Sequence, residues 1–241
     1  MTPSSSPVLN RMDSLAQAWE QAADRRSFFL RCYALMTGNM LRAIDQGEFH
    51  DASWVAHLLD LFADYYFVAL DAYEHGDDTT PDVWRLTHES ASRQQPSVLQ
   101  DLLLGINAHI NYDLVLALVD MLEPDWYSLT PDQQSQRYQD HSHVNDIIAG
   151  TIDSVQQQVV APNDRWMRLA DWALGPLDEH VAAQLIRHWR EAVWRRAMEM
   201  LDTADADERA DLRRLLAVQA LERGEQIQAL RLDRVLGDLL R

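Results

Sequence analysis

His109 and Asp113 lie four residues apart within "LLLGINAHINYDLVLALVDMLE", residues 102–123, the most apolar run of the chain. On a helix this spacing stacks the two side chains on one face. An imidazole beside a carboxylate can share a zinc-like ion through nitrogen and oxygen ligands. It can also act as a metal-free acid/base pair, the carboxylate orienting the ring. Or it can form one hydrogen bond that knits a core. Asn107 and Asn111 repeat the same spacing on the adjoining side. Their neighbours Ile106, Ile110, Leu114, Leu116, Leu118 and Val119 leave no polar face, so the helix must be central and packed on most sides. Polar groups buried there must find partners.

Three further clusters carry similar side chains. "RYQDHSHVNDIIAGTIDSVQQQ" holds Asp140, His141, His143, Asn145 and Asp146. Asp140 or Ser142 is a candidate N-cap, and His141 and His143 are candidate ligands or catalytic groups. In "DASWVAHLLDLFADYYFVALDAYEHG", His57, Asp60 and Asp64 share a face at i, i+3 and i+7. Periodicity alone does not say whether that face meets the core or water. In "DEHVAAQLIRHWREAVWRRAMEML", His180, Gln184, His188 and Glu191 form a polar stripe, and Arg190 lies four residues before Trp194. That pair favours a structural cation–π contact; the alternative is an Arg that binds a ligand's phosphate or carboxylate.

The elements that must position these groups read as helices throughout. Eight Gly and eight Pro in 241 residues leave long uninterrupted segments, and β-branched alternation is scarce. Helices are expected over 8–23, 26–46, 51–74, 80–92, 97–122, 131–136, 143–160, 164–174, 178–202 and 206–238, the last broken near Gly224. Gly47 ends one helix, Asp51 or Ser53 caps the next, and Thr80–Pro81 and Thr130–Pro131 open two others. No linker divides the chain. The expectation is one all-α domain over 1–241, a multi-helix bundle with a buried central helix, about seven disordered residues at the start and a helical extension from 206.

Composition narrows the function classes. Lys and Arg number 21 against 38 Asp and Glu, a formal charge of −17. A nucleic-acid backbone demands clustered cations, so no nucleic-acid partner is expected. Cys32 is the only cysteine, which rules out an internal disulfide and fits a cytoplasmic protein. The start, "MTPSSSPVLNRMDS", has no basic head before an apolar run, so no secretory signal is read there. The 102–123 run is long enough to span a bilayer, but four polar side chains at its centre argue against a membrane span.

Taken in order, "FHDASWVAHLLDLFADYY", "LLLGINAHINYDLVLAL", "DHSHVNDIIAGTIDSVQ" and "HWREAVWRRAMEML" resemble a bacterial family classed as a domain of unknown function, with a GxNAHIxxDLxxAL motif. The resemblance covers about Asp24 to Leu201. It implies one all-α domain and marks Asn107, His109 and Asp113 as motif positions, with no established activity. The His-x-x-x-Asp pair alone is also similar to that of the all-helical zinc-dependent phospholipase C and single-strand nuclease group.

Three functional readings follow. The first is a metal-dependent hydrolase or small-molecule tailoring enzyme. Its ion, zinc or a similar divalent metal, is held by His109, Asp113 and one or more of His141, His143, Asp60 and Asp64, with Asn107 or Asn145 in support. The second is a metal-free cyclase or isomerase acting on an apolar small molecule through His109 and Asp113. The third is a non-catalytic helical binding protein. No nucleotide cofactor is expected, and oligomeric state is open.

Overall fold

The computed structural model describes residues 6–93, 97–163 and 176–230. Among them every regular element is helical. Ten α-helices run in order: α1 Pro7–Gln21, α2 Arg26–Gln46, α3 Ala52–Glu74, α4 Asp82–Ser92, α5 Val98–Ala108, α6 Leu114–Leu122, α7 Pro131–Val155, the short α8 Ala161–Asn163, α9 Pro176–Asp202 and α10 Ala206–Ala229. The helix expected over 164–174, most of the disordered start expected over 1–7, and the side chain of His180 lie outside the described residues.

Local chemistry sets most boundaries. Gly47 adopts φ 74°, which ends α2 with a left-handed residue. The Asp51 carboxylate accepts the Trp54 N–H and opens α3. Thr130 and Gln133 form a reciprocal capping box at the start of α7, with Pro131 in the first turn. Two expectations need correction. Residues 131–155 make one continuous helix, so Asp140 and Ser142 are interior residues and cap nothing of their own. Gly224 does not break α10. It lets α10 approach the centre, because a Cβ there would meet Leu86 at 2.9 Å and the Asn107 amide at 3.5 Å.

The central element is α5, a single π-helical turn over His109–Asp113, and α6. By length and composition Val98–Leu122 could cross a bilayer; 83% of its most apolar window is buried against the other helices. α5 packs on α2, α4 and α10, and α6 on α3 and α9. α2 crosses α7, and α9 lies along both α6 and α7. One apolar cluster gathers Leu114, Val115, Leu118, Val119 and Leu122 against Trp189, Val193 and Trp194 of α9. A second surrounds Trp84 with Phe29, Tyr33, Tyr66 and Met12.

Gly105 sits where α5 meets α2. A Cβ at this position would overlap the Phe29 ring. That ring is pinned by Tyr66, Trp84 and His109, so it cannot simply swing aside. Gly105→Ala is therefore expected to destabilise by about 1–3 kcal/mol through overpacking, even though alanine is the better helix former. Thermal melting checks this; an unchanged or raised Tm would show that the contact yields freely.

Candidate active site

The His109–Asp113 pair sits on the π-turn, both side chains buried. One extra residue per turn is a local departure from α geometry that recurs at functional sites. His109 Nδ1 and Asp113 Oδ2 are 3.2 Å apart. The Trp84 indole N–H reaches across from α4 to both Asp113 oxygens, at 3.0 and 3.1 Å. Around the imidazole stands an aromatic box. Phe62 stacks on it with centroids 3.5 Å apart and planes 7° from parallel. Tyr33 meets it edge-on at 4.3 Å.

Burial decides the charge of this pair. It holds the His109 imidazolium well below its ordinary range. It also raises the Asp113 carboxyl well above its own, against the opposing pull of the Trp84 hydrogen bond. Both shifts favour the neutral forms. With both groups neutral, the hydrogen bonds are satisfied when the carboxyl O–H of Asp113 donates to Nδ1, Trp84 donates to the carboxyl oxygens and the ring proton of His109 lies on Nε2. Nε2 has no hydrogen-bond partner.

His109 is part of the wall of a cavity of about 280 Å³ lined by α2, α3, α5, α7 and α9. That is near the lower end of small-molecule pockets. Its surface is mainly apolar, from Met36, Leu58, Phe62, Leu103, Ile106, Ile110, Val144 and Ile186. Three other wall residues carry buried polar atoms without partners: Tyr33 Oη, Thr37 Oγ1 and Trp54 Nε1. Burial keeps the Tyr33 hydroxyl protonated, its pKa pushed well above 10. Cys32 also lines the cavity, and its apolar surroundings push the thiol up to about 12, far from a reactive thiolate.

The other expected site residues are placed as follows. Asn107 accepts from the Asn111 amide and donates to the Ala220 carbonyl at 2.9 Å. The two asparagines stitch α10 to the central helix, and neither lines the cavity. Asp140 accepts the backbone N–H groups of His50 and Asp51 at 2.8 and 2.9 Å, fixing the entry to α3. His141 lines the cavity, but Nε2 faces the Arg190 carbonyl at 3.2 Å and Nδ1 faces the Arg190 guanidinium at 3.4 Å. Asn145 accepts from Arg190 Nε. His143 pairs with Glu48 near the surface. His57, Asp60, Asp64 and His188 are exposed.

The donor set does not fit the metal centre expected from sequence. Asp113 is engaged by Trp84 and His109, His141 by Arg190 and His143 by Glu48, while Asp60 faces water. Among the described residues no group of three or more His, Cys, Asp or Glu side chains is arranged to hold an ion. Tyr33, Thr37, Trp54 and Trp84 were not singled out from sequence. Tyr33 and Thr37 did leave a signal in "YALMTGNM": two polar groups four apart, with Met36 and Met40 beside them.

The fold and site thus define an all-helical bundle around a small apolar cavity, with the histidine of a buried His–Asp pair in its wall. The chain belongs to the family of unknown function DUF5995, whose family model matches residues 6–230. No curated protein and no solved structure matches it.

Proposed function

We propose that the protein is a metal-independent enzyme that moves a proton within an apolar small molecule, an isomerase or cyclase, with His109 and Asp113 as its acid/base pair. One observation carries this reading. Four partnerless buried polar atoms, on Tyr33, Thr37, Trp54 and His109, belong to the wall of one apolar cavity. An unpaired buried donor costs about 1–3 kcal/mol, and four around one cavity are a cost that a bound oxygen-bearing ligand relieves. None of the four is open to water in this conformation, so a ligand meets them by rotation of wall side chains.

In the proposed step His109 gives its Nε2 proton to the substrate while the Asp113 carboxyl passes its own proton to Nδ1. A proton lost from another substrate position returns by the reverse path. No net proton or electron is consumed. Tyr33, Thr37 and Trp54 hold the substrate oxygen, and the aromatic box excludes water.

The test is conversion of compounds in an apolar extract, followed by mass spectrometry with and without a chelator. Wild type is expected to convert a compound that His109→Gln binds but converts about 10²–10⁴-fold more slowly. Equal conversion by His109→Gln would overturn the role of the pair. Loss of conversion with chelator, together with stoichiometric zinc in the purified protein, would establish the metal-dependent reading instead. Binding without conversion would leave a carrier.

A further inference from the structure

Arg190 of α9 is 5% exposed and lines the same cavity as His109. Its partners are neutral. Nε donates to the Asn145 side-chain oxygen at 2.9 Å, and Nη2 donates to the His141 carbonyl at 2.7 Å, with the His141 ring nitrogen at 3.4 Å. Among the described residues the donors on Nη1 have no partner, and no carboxylate lies within ion-pair distance of the guanidinium. Asp140 also lines the cavity, but each of its oxygens is taken by a backbone N–H at the entry to α3. Arg26 and Arg137, also largely withdrawn from water, each pair with a carboxylate.

A buried cation without a counter-anion is costly, and natural proteins rarely keep one idle. Burial presses on Arg190 enough to bring its pKa down to about 10, yet the group stays charged at pH 7. From this placement we infer that the cavity takes an apolar monocarboxylate, its carboxylate paired with Arg190 and its hydrocarbon body lying along Ile106, Ile110, Val144 and Ile186. The inference rests on the cavity reading above and names the substrate class for it. One guanidinium balances one negative charge; a phosphate dianion would leave net charge in an apolar enclosure. With Nε and Nη2 already donating, Nη1 is the nitrogen left to give a charge-assisted hydrogen bond to a carboxylate oxygen. The overall charge of −17 does not oppose this, because surface charges are screened over about 8–10 Å in physiological salt while a buried pair is not.

Calorimetric titration of the full chain with decanoate and with 1-decanol tests the inference without any variant. Decanoate is expected to bind one per chain and roughly tenfold or more tighter than the alcohol, the worth of a charge-assisted hydrogen bond. Arg190→Met is expected to erase that preference while leaving 1-decanol affinity within about twofold, since the side-chain volume is nearly kept. Arg190→Lys, which keeps the charge but on a shorter, differently placed head group, is expected to fall between the two. If wild type binds the alcohol as tightly as the acid, the carboxylate anchor is overturned while the cavity reading stands. If wild type binds neither compound, both are overturned. A preference for decanoate that survives in Arg190→Met also overturns the anchor.

Discussion

Trp84→Ala is expected to cost roughly 5 kcal/mol, the largest single-residue effect among the described positions. Trp84 is wholly buried. Its ring packs on Tyr66 at 5.1 Å, stacks on His88 at 5.4 Å and meets Phe29 at 5.7 Å. Truncating a core tryptophan costs about 3–5 kcal/mol from lost burial and residual cavity. Loss of the indole N–H leaves the Asp113 carboxyl short of a donor, at about 1–3 kcal/mol more. For a chain of this size the sum corresponds to a Tm drop of about 10–20 °C. Trp84→Phe separates the contributions, because it keeps most of the ring volume and removes only the donor. A smaller loss, about 1–3 kcal/mol, is expected there. Denaturant melts of both variants decide the matter. Equal losses would mean that the hydrogen bond, not the ring, dominates; a Tm within 2 °C of wild type for Trp84→Ala would sink the claim that Trp84 anchors the site.

Stability is expected to fall on acidification below about pH 6. The proton count follows from the buried groups. His88, His109 and His141 are held neutral by burial, His88 with its pKa lowered to about 3. Below the ordinary 6.5 the unfolded chain therefore binds three protons that the folded one refuses, and stability falls with acidity. Asp113 and Asp101 act oppositely. Burial raises both, Asp101 to about 6 despite its ion pair with Arg25, so the folded chain holds their protons where the unfolded chain has lost them. Between about pH 4 and 6 three histidines outweigh two carboxyls by one proton. Stability then falls by about 1.4 kcal/mol per pH unit on acidification, roughly 3 kcal/mol over two units. At higher pH the unfolded histidines lose their protons, and the raised Asp113 carboxyl opposes further gain up to its folded-state pKa. Asp113→Asn is expected to steepen the acid limb. An acid limb no steeper in Asp113→Asn than in wild type would contradict a protonated Asp113.

Much of the fold was legible because its punctuation is local. Gly47, Asp51 and the Thr130–Pro131 step each fix a boundary by backbone chemistry that depends on a few adjacent residues. The buried central helix was legible because apolar residues surround its circumference. The continuity of α7 was not, since Asp140 and Ser142 have cap-forming side chains and only tertiary contact shows Asp140 serving the start of α3, about 90 residues away. The π-turn was equally hidden, because residues four apart meet in either helix type. The meeting of His109 with Asp113 was legible from spacing. That Asn107 belongs to α10, and that Tyr33, Thr37, Trp54 and Arg190 share a cavity with His109, depends on contacts between distant segments to which one-dimensional periodicity is blind.

The cavity also has a history in time. Its walls come from segments as far apart as Phe29 and Arg190, and α9 supplies Ala182, Ile186, Trp189 and Arg190 to one side. During synthesis the nascent chain emerges from its amino end, so α2, α3, α5 and α7 are outside the ribosome before α9 emerges. At about 5–20 residues per second the roughly 35 residues between the end of α7 and Arg190 take about 2–7 seconds to follow. For that interval Met36, Leu58, Ile106 and Val144 form an uncovered apolar trough. The same architecture that gives the finished protein an apolar pocket leaves the growing chain, for that interval, with apolar surface open to chaperones and to aggregation.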